Sequence, residues 1–592
     1  MERTINQLIL HALKTYQKDN LMLYKKEGKY IPISTDEFVA KVRYFALGLK
    51  DLGYEAGEKL IILSENRPEW VMVNCANLCS GGITVPIYTT LSSEQVQYII
   101  DDSDAKLVVC SSLELWEKIK TIRNTLTKVM HYIILEPGVS KGDLTFEEVL
   151  DRGKQLEKRK PALFGKMALA VKPEDLACII YTSGTTGVPK GVMLTHNNLS
   201  TNLLAVCEII QFSDKDTSLS WLPLSHSFEH LVTIAYLYRG VSVAFAERPE
   251  TVVDNLAEIR PHLLTSVPRL YERFYAGIME NVLSSSPFKR KIFFWALKTG
   301  KKYSRKKRHS KKISPLLEFK KKLAHKLVFS KIIARTGGRI RILVSGAAPL
   351  SKDIAEFFDA LGLIVLEGYG LTETSPAISL NTFKNIKYGT VGKPIPGVEV
   401  KIAGDGEILA KGPNIMKGYY KKPAETAEVF AGEWFKTGDI GFIDEDGFIT
   451  ITERKKDIIV TAGGKNVAPQ QIENLLKTNP YIVNAVAIGD RRKFVSALIV
   501  PEFDKLEAYA KEKKIDYESR EGLIKNDQIL QMMERQIDQS TQNLARYEKI
   551  KKFALLDRDF EIGKGEITPT LKVKRDIIEE KHKALIDSFY VE

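Results

Sequence analysis

Residues Tyr181–Gly191 read YTSGTTGVPKG, with three glycines, three threonines, a serine and a lysine in eleven positions at the end of the apolar run LACIIY. In such a loop the glycines let backbone N–H groups turn toward an anion, the hydroxyls add donors, and Lys190 supplies a compact charge. The string is therefore read as a phosphate cradle. It is not a Walker A loop, which places Gly directly before Lys and Ser or Thr after it. Here Pro189 precedes Lys190 and Gly191 follows. A glycine-rich surface turn is the alternative, better suited to a shorter string.

Outward from this loop the chain keeps the rhythm of a parallel α/β sheet. Toward the N-terminus lie the strand KLIILSE, a helix through Trp70 to Cys79, the strand ITVPIY, a capping-box start at Ser92–Gln95 and the strand AKLVVCS. Toward the C-terminus RIRILV leads into SGAAPL, then a helix with Ile354, Phe357, Phe358 and Leu361 at helical spacing, then LIVLEGYGLTE. Ligands of open α/β sheets gather beyond the carboxyl ends of strands, where both polar loops are expected. From Gly389 short glycine-punctuated strands (GVEVKI, GEILAKG, GFITIT) predict a small β-subdomain. A last boundary is expected near Arg454–Asp457, before a small terminal domain.

At 592 residues the chain is too long for one core, and 44% hydrophobic with 27% charged residues is the balance of soluble globular proteins. No apolar run reaches the ~18–20 residues of a membrane span, and the first residues lack the order of a secretory signal, so a cytoplasmic protein is expected. The five cysteines form neither a disulfide framework nor a zinc pattern and are expected to be reduced, buried thiols. The net charge of +13 is local. Between Lys289 and Lys331 there are 17 Lys/Arg against the single acid Glu318, an excess of +16 that leaves −3 for the rest of the chain. Phe288, Phe293, Phe294, Trp295, Leu297, Tyr303, Phe319 and Phe329 interrupt the run. Two readings stand side by side: helices lying peripherally on an anionic membrane, on the inner face of which the protein would sit, or a solvated helical excursion with one apolar face packed on the protein. No nucleic-acid motif accompanies the charge, so no nucleic-acid partner is expected.

YTSGTTGVPKG, LPLSH at 222–226, SGAAPL at 345–350, EGYGLTET at 367–374, WFKTGDIG at 434–441, TERKKD at 452–457 and ITPTLKVKR at 567–575 occur in the order seen in the adenylate-forming superfamily of acyl-CoA synthetases, luciferases and peptide-synthetase adenylation domains. The chain resembles that superfamily over nearly its whole length. VPRLYERF at 267–274, the basic segment and the TPTLKVKR ending are most similar to long-chain fatty acyl-CoA synthetases. The resemblance implies a large N-terminal domain, 1–455, of two parallel-sheet α/β subdomains and a small β-barrel-like subdomain. A small mobile α+β C-terminal domain, 456–592, follows. It implies ATP-dependent ligation of a fatty acid to coenzyme A through an acyl adenylate, with Mg²⁺ as the metal. It leaves room for a homodimer, for a medium-chain or aryl acid-CoA ligase, for a fatty acyl-AMP ligase feeding a carrier protein, and for an idle nucleotide-binding scaffold.

Roles follow by similarity. Thr182, Ser183, Gly184, Thr185, Thr186, Gly187 and Lys190 would cradle the β/γ-phosphates, and Thr182 with Glu373 would hold Mg²⁺. Gly346, Ala347, Ala348, Gly368 and Tyr369 resemble the adenine pocket, Gly370 and Thr372 would also bind ATP or AMP, and Asp439 resembles the ribose ligand and Arg454 a nucleotide contact. Lys456 stands at the hinge, and Lys572 aligns with the lysine that reaches the reacting carboxylate and α-phosphate. His226 would guard the tunnel between carboxylate and thiol, Tyr271 falls near an aromatic gate to the acyl tunnel, and Gly463 and Gly464 would face the thioester half-reaction. An amino acid substrate is disfavoured, because no acid follows LPLSH before Glu229.

Overall fold

The structure, a computed structural model, describes residues 4–136, 143–183, 188–561, 563–568 and 573–591, with Ser183 and Asn466 as backbone alone. Lys59–Leu63 lies inside an eight-stranded sheet, parallel to Ile83–Ile87 on one side and Leu107–Cys110 on the other. Its continuous apolar sequence has a physical cause. Alternate residues point to opposite faces, and both faces are covered: Leu60 and Ile62 enter one core, Ile61 and Leu63 another. The strand Leu176–Ser183 joins this sheet parallel to Ile83–Ile87, runs two residues past Tyr181, and turns back antiparallel as Pro189–Thr195. The described ends of the stretch Tyr181–Gly191 are therefore the paired arms of a β-hairpin.

A second sheet of nine strands, with a parallel centre, holds Thr217–Ser220, Leu263–Ser266, Ile342–Ser345 and Val365–Gly370. It divides its faces in the same way, Leu343 packing in one core and Val344 in the other. The capping box at Ser92 is formed, with Gln95 N–H donating to Ser92 Oγ at 3.3 Å and Ser92 N–H to Gln95 Oε1 at 3.1 Å. Reciprocal caps of this kind stabilise a helix start by about 1 kcal/mol.

From Glu399 the chain forms the small β unit, an antiparallel five-stranded sheet in which Trp434–Ile443 pairs with both Glu407–Lys411 and Ile449–Arg454. The smaller C-terminal domain has its own cores. Ile482–Ile488, Ser496–Pro501 and Lys552–Leu555 make a sheet whose buried residues, from Ile459 to Ile586, come entirely from this end of the chain. All five cysteines are buried and free. Burial pushes the Cys75, Cys110, Cys178 and Cys207 thiols up to about 12, which keeps them protonated and inert.

The basic segment is helical, over Pro287–Arg308 and Pro315–Ala324, and its inner face packs on the helix Lys352–Leu361. Gly300 is required there, because a Cβ would stand 2.4 Å from the Ala360 carbonyl oxygen. Ser304 Oγ donates to Asp359 O at 2.9 Å, Lys321 Nζ to Ala360 O at 2.6 Å, and Arg308 pairs with the Asp359 carboxylate. The packed face of the excursion reading is thus present. Among the described residues no helix is long and apolar enough to cross a membrane.

Candidate active site

Two chains of polar contacts converge where the sheets meet the small β unit. The first centres on Asp439. Its strand pairs with Ile449–Arg454 in a register that sets Asp439 opposite Arg454, and Arg454 Nε reaches Asp439 Oδ1 at 2.8 Å. On the other oxygen, Tyr369 OH donates to Asp439 Oδ2 at 2.7 Å, and Thr437 Oγ1 accepts from the Asp439 N–H at 3.1 Å. Burial, reinforced by the Asp439 charge, holds the Tyr369 phenol well above its ordinary range, so it remains a donor. Burial works against the Arg454 cation, but Asp439, Tyr369 and Glu373 outweigh it. Each carboxylate oxygen has two lone pairs, so Asp439 keeps acceptor capacity for two further hydroxyls after both contacts are made.

The second chain runs through Tyr419, which sequence reasoning did not single out. Lys190 lies with Nζ 5.3 Å from the centre of the Tyr419 ring, and Tyr419 OH donates to Glu373 Oε1 at 2.9 Å. Burial and the Glu373 charge raise the Tyr419 pKa, which keeps this proton in place. The signal in the sequence was weak: Gly418–Tyr420 reads GYY with nothing to separate it from an ordinary strand end. In space Gly418–Tyr419 pairs with Pro189–Thr195, directly behind the hairpin. Thr182 and Lys190 face each other across that hairpin as register partners. Gly184, Thr185, Thr186 and Gly187, like Lys572, lie outside the described residues.

The other expected positions divide. Gly346 follows the strand Ile342–Ser345 with the Phe228 ring so close that a Cβ would meet it at 2.9 Å. Ala347 beside it has φ +65°, an uncommon conformation for a residue with a side chain. Ala348 lies in the same loop. Gly368 and Gly370 belong to the strand that carries Tyr369. Thr372 Oγ1 lies 3.2 Å from Ser227 Oγ, which brings the turn Thr372–Thr374 to the start of the helix Ser227–Tyr238. His226 caps that helix, its Nδ1 accepting from Phe228 N–H at 3.2 Å, and burial lowers its pKa to about 4, so the ring is neutral. Tyr271 sits in the apolar core, with OH donating to Val344 O at 2.9 Å and the ring edge-on to Phe358. Lys456 stands in the turn between Arg454 and Ile459, just past Lys455, which ion-pairs with Asp405 at 2.6 Å and Glu407 at 2.9 Å. Gly463 and Gly464 are exposed between the short strands Ile459–Val460 and Asn466–Val467.

Glu229, the first acid after LPLSH, is a buried carboxyl. Ser220 Oγ donates to its Oε1 at 2.6 Å, its Oε2 has no partner among the described residues, and burial pushes it up to about 8.

Residues 11–420 match the family described as AMP-binding enzyme, and residues 456–592 match the AMP-binding enzyme C-terminal domain. The chain belongs to the AMP-binding enzyme family. Among the relatives of this AMP-binding enzyme is a long-chain-fatty-acid–CoA ligase, FadD15, of Mycobacterium bovis, 34% identical over 95% of this chain and 93% of that protein. Another is the long-chain-fatty-acid–CoA ligase ACSBG1 of Bos taurus, 33% identical over 100% of this chain and 85% of that protein. Among solved structures, the adenylation domain of a carboxylate reductase from Mycobacterium chelonae superposes with a TM-score of 0.77 at 20% identity, over 100% of this chain and 91% of that one. At that identity the likeness concerns the fold. Asp439 and Arg454 of this AMP-binding enzyme fall between the two matched stretches, so the Asp439 contacts are evidence of a separate kind.

Proposed function

We propose that this AMP-binding enzyme joins a long-chain fatty acid to coenzyme A in two steps at one site. In the first, a carboxylate oxygen of the fatty acid forms a bond to the α-phosphorus of ATP as the bond to pyrophosphate breaks. In the second, the coenzyme A sulfur forms a bond to the acyl carbon, and AMP leaves. The observation that carries this reading is Asp439, buried, oriented on both oxygens by Tyr369 and Arg454, and still able to accept from two vicinal ribose hydroxyls. The relatives named long-chain-fatty-acid–CoA ligases support the choice of acid and thiol.

The first step needs anions neutralised and held in line. Lys190 and the Thr182–Lys190 hairpin would take the β/γ-phosphates, and Tyr419 keeps Lys190 and Glu373 in one cluster. Gly346, Ala347 and Ala348, with Gly368, Gly370 and Thr372, would bound the adenine that stacks on Tyr369. Among the described residues no group of three His, Cys, Asp or Glu side chains could hold a metal. A hydroxyl and a carboxylate, Thr182 and Glu373, instead fit Mg²⁺, which takes one or two protein oxygens and completes its shell with phosphates and water. When bound, it would neutralise phosphate charge. Lys572 would stabilise charge on the α-phosphate. Its neighbours are anchored, with Ile567 paired antiparallel to Val573 and Lys574 N–H donating to Glu566 O at 2.8 Å.

Coenzyme A must approach the carbonyl that Lys572 serves, so the C-terminal domain would rotate between steps. The hinge would be Lys456, with the domains meeting at 455/456. Lys455 is held to Asp405 and Glu407 of the small β unit, which fixes one side of the turn. His226, neutral and next to the Thr372 turn, would line the passage between carboxylate and thiol.

The experiment is pyrophosphate release with Mg²⁺ and acids of graded length, with and without coenzyme A. Turnover that peaks with long chains and cycles only with coenzyme A is expected. A peak with aryl or medium-chain acids, or release without thioester, would overturn the reading.

A further inference from the structure

The outer face of the basic helices is as patterned as the inner one. Leu316, Phe319, Leu323 and Leu327 follow one another at i, i+3, i+7 and i+11 along Pro315–Ala324 and its continuation His325–Phe329, which places them on one face. All four are exposed, at 63%, 64%, 37% and 45%. The opposite face of the same helix is the one that packs, with Leu317, Ala324 and Phe329 buried. Folding therefore leaves a second apolar stripe uncovered. Lys320 and Lys326 flank it on either side of the helical circle and are exposed. Phe288 and Phe294 are also exposed on the preceding helix, at 73% and 44%.

We propose that this face docks on an anionic lipid bilayer, with the stripe inserted at the level of the headgroups and the surrounding lysines on lipid phosphates. An apolar stripe edged by lysines, on a chain with no spanning helix among its described residues, is the form of an interfacial helix. Charge complementarity selects the occupant. A second copy of the chain on the same face would oppose +16 with +16, and the remainder of the chain offers only −3. Of the 17 cations only Lys301 and Arg308 form ion pairs among the described residues. The positive field is therefore left outward rather than spent within the fold. A nucleic acid would meet the charge but would leave the four apolar side chains without a partner.

The test uses the full chain and vesicles of phosphatidylcholine with or without phosphatidylglycerol, separated by flotation. The wild-type protein is expected to float with the anionic vesicles at least about tenfold better than with neutral ones, and less so as salt rises. The triple variant L316S/F319S/L323S should lose about tenfold or more of that partition, while circular dichroism and turnover with a water-soluble acid stay at wild-type level. These side chains are exposed, so their removal opens no core. K320E/K326E should weaken partition comparably by the separate, electrostatic route. Undiminished flotation of the apolar variant would overturn the proposal, as would tighter binding to duplex DNA than to anionic vesicles.

Discussion

The Asp439 cluster and the basic helices are both rich in charge and use it in opposite ways. Around Asp439 each ionic group is tied to a partner: Arg454 and Tyr369 to Asp439, Tyr419 to Glu373, Lys455 to Asp405 and Glu407. On the helices Pro287–Arg308 and Pro315–Ala324 most cations face outward, while Ser304, Arg308 and Lys321, with Lys301 more loosely, tie the inner face to the helix Lys352–Leu361. Ties position groups to sub-ångström precision, which chemistry on a phosphate requires, whereas an outward field needs only sign and density. One region should be sensitive to single atoms and the other to summed charge.

Lys572→Ala gives the largest effect in this contrast. It should lower pyrophosphate release by ~10³-fold or more while ATP binding, measured by calorimetry, stays intact, because in the proposed site other groups would hold the nucleotide. Asp439→Ala should follow, with a loss of ~10² in kcat/KM expressed mainly in ATP binding, since it would remove the proposed ribose acceptor and would free Arg454 and Tyr369. Tyr419→Phe keeps the ring under Lys190 and deletes only the proton given to Glu373. About a tenfold loss is expected, read as a rise in the Mg²⁺ concentration needed for half-maximal rate.

Those three positions were unequally legible in the sequence. Lys572 and Asp439 sit in long strings, ITPTLKVKR and WFKTGDIG, that resemble motifs of the adenylate-forming superfamily, and their proposed roles rest on that resemblance. Tyr419 has no such context and gains its position only when Gly418–Tyr419 pairs with the hairpin strand. The sheet strands were legible because burial on both faces makes them continuously apolar, and the Ser92 cap because it is local. The hairpin geometry of YTSGTTGVPKG was not, since nothing in its glycines and threonines tells whether strand or helix follows. In the basic segment the charge was plain, but Phe288 and Phe293 read alike in sequence. Only the placement of Gly300 on Ala360 shows that Phe293 points inward and Phe288 outward.

The buried carboxyls yield a smaller, pH-dependent effect. Burial raises Glu229 and Glu367 to about 8 from an ordinary 4.5, so the folded chain keeps two protons that the unfolded chain releases. Stability should then fall as pH rises from about 4.5 to about 8, by at most about 1.4 kcal/mol per pH unit for each group. Glu229→Gln should flatten its share of the slope in urea midpoints taken across that range. The smallest effect belongs to the outward lysines: Lys320→Ala with Lys322→Ala should leave turnover of a soluble acid within about twofold of wild type. A larger fall would show that the two regions are not separate in function.

The most direct test of the central claim is a single turnover with labelled ATP and a long-chain fatty acid, quenched before and after addition of coenzyme A. Without coenzyme A, fatty acyl-AMP should accumulate to about one equivalent per chain, and the chase should convert it to acyl-CoA and AMP. Failure to form acyl-AMP, or an adenylate that coenzyme A does not consume, would contradict the account.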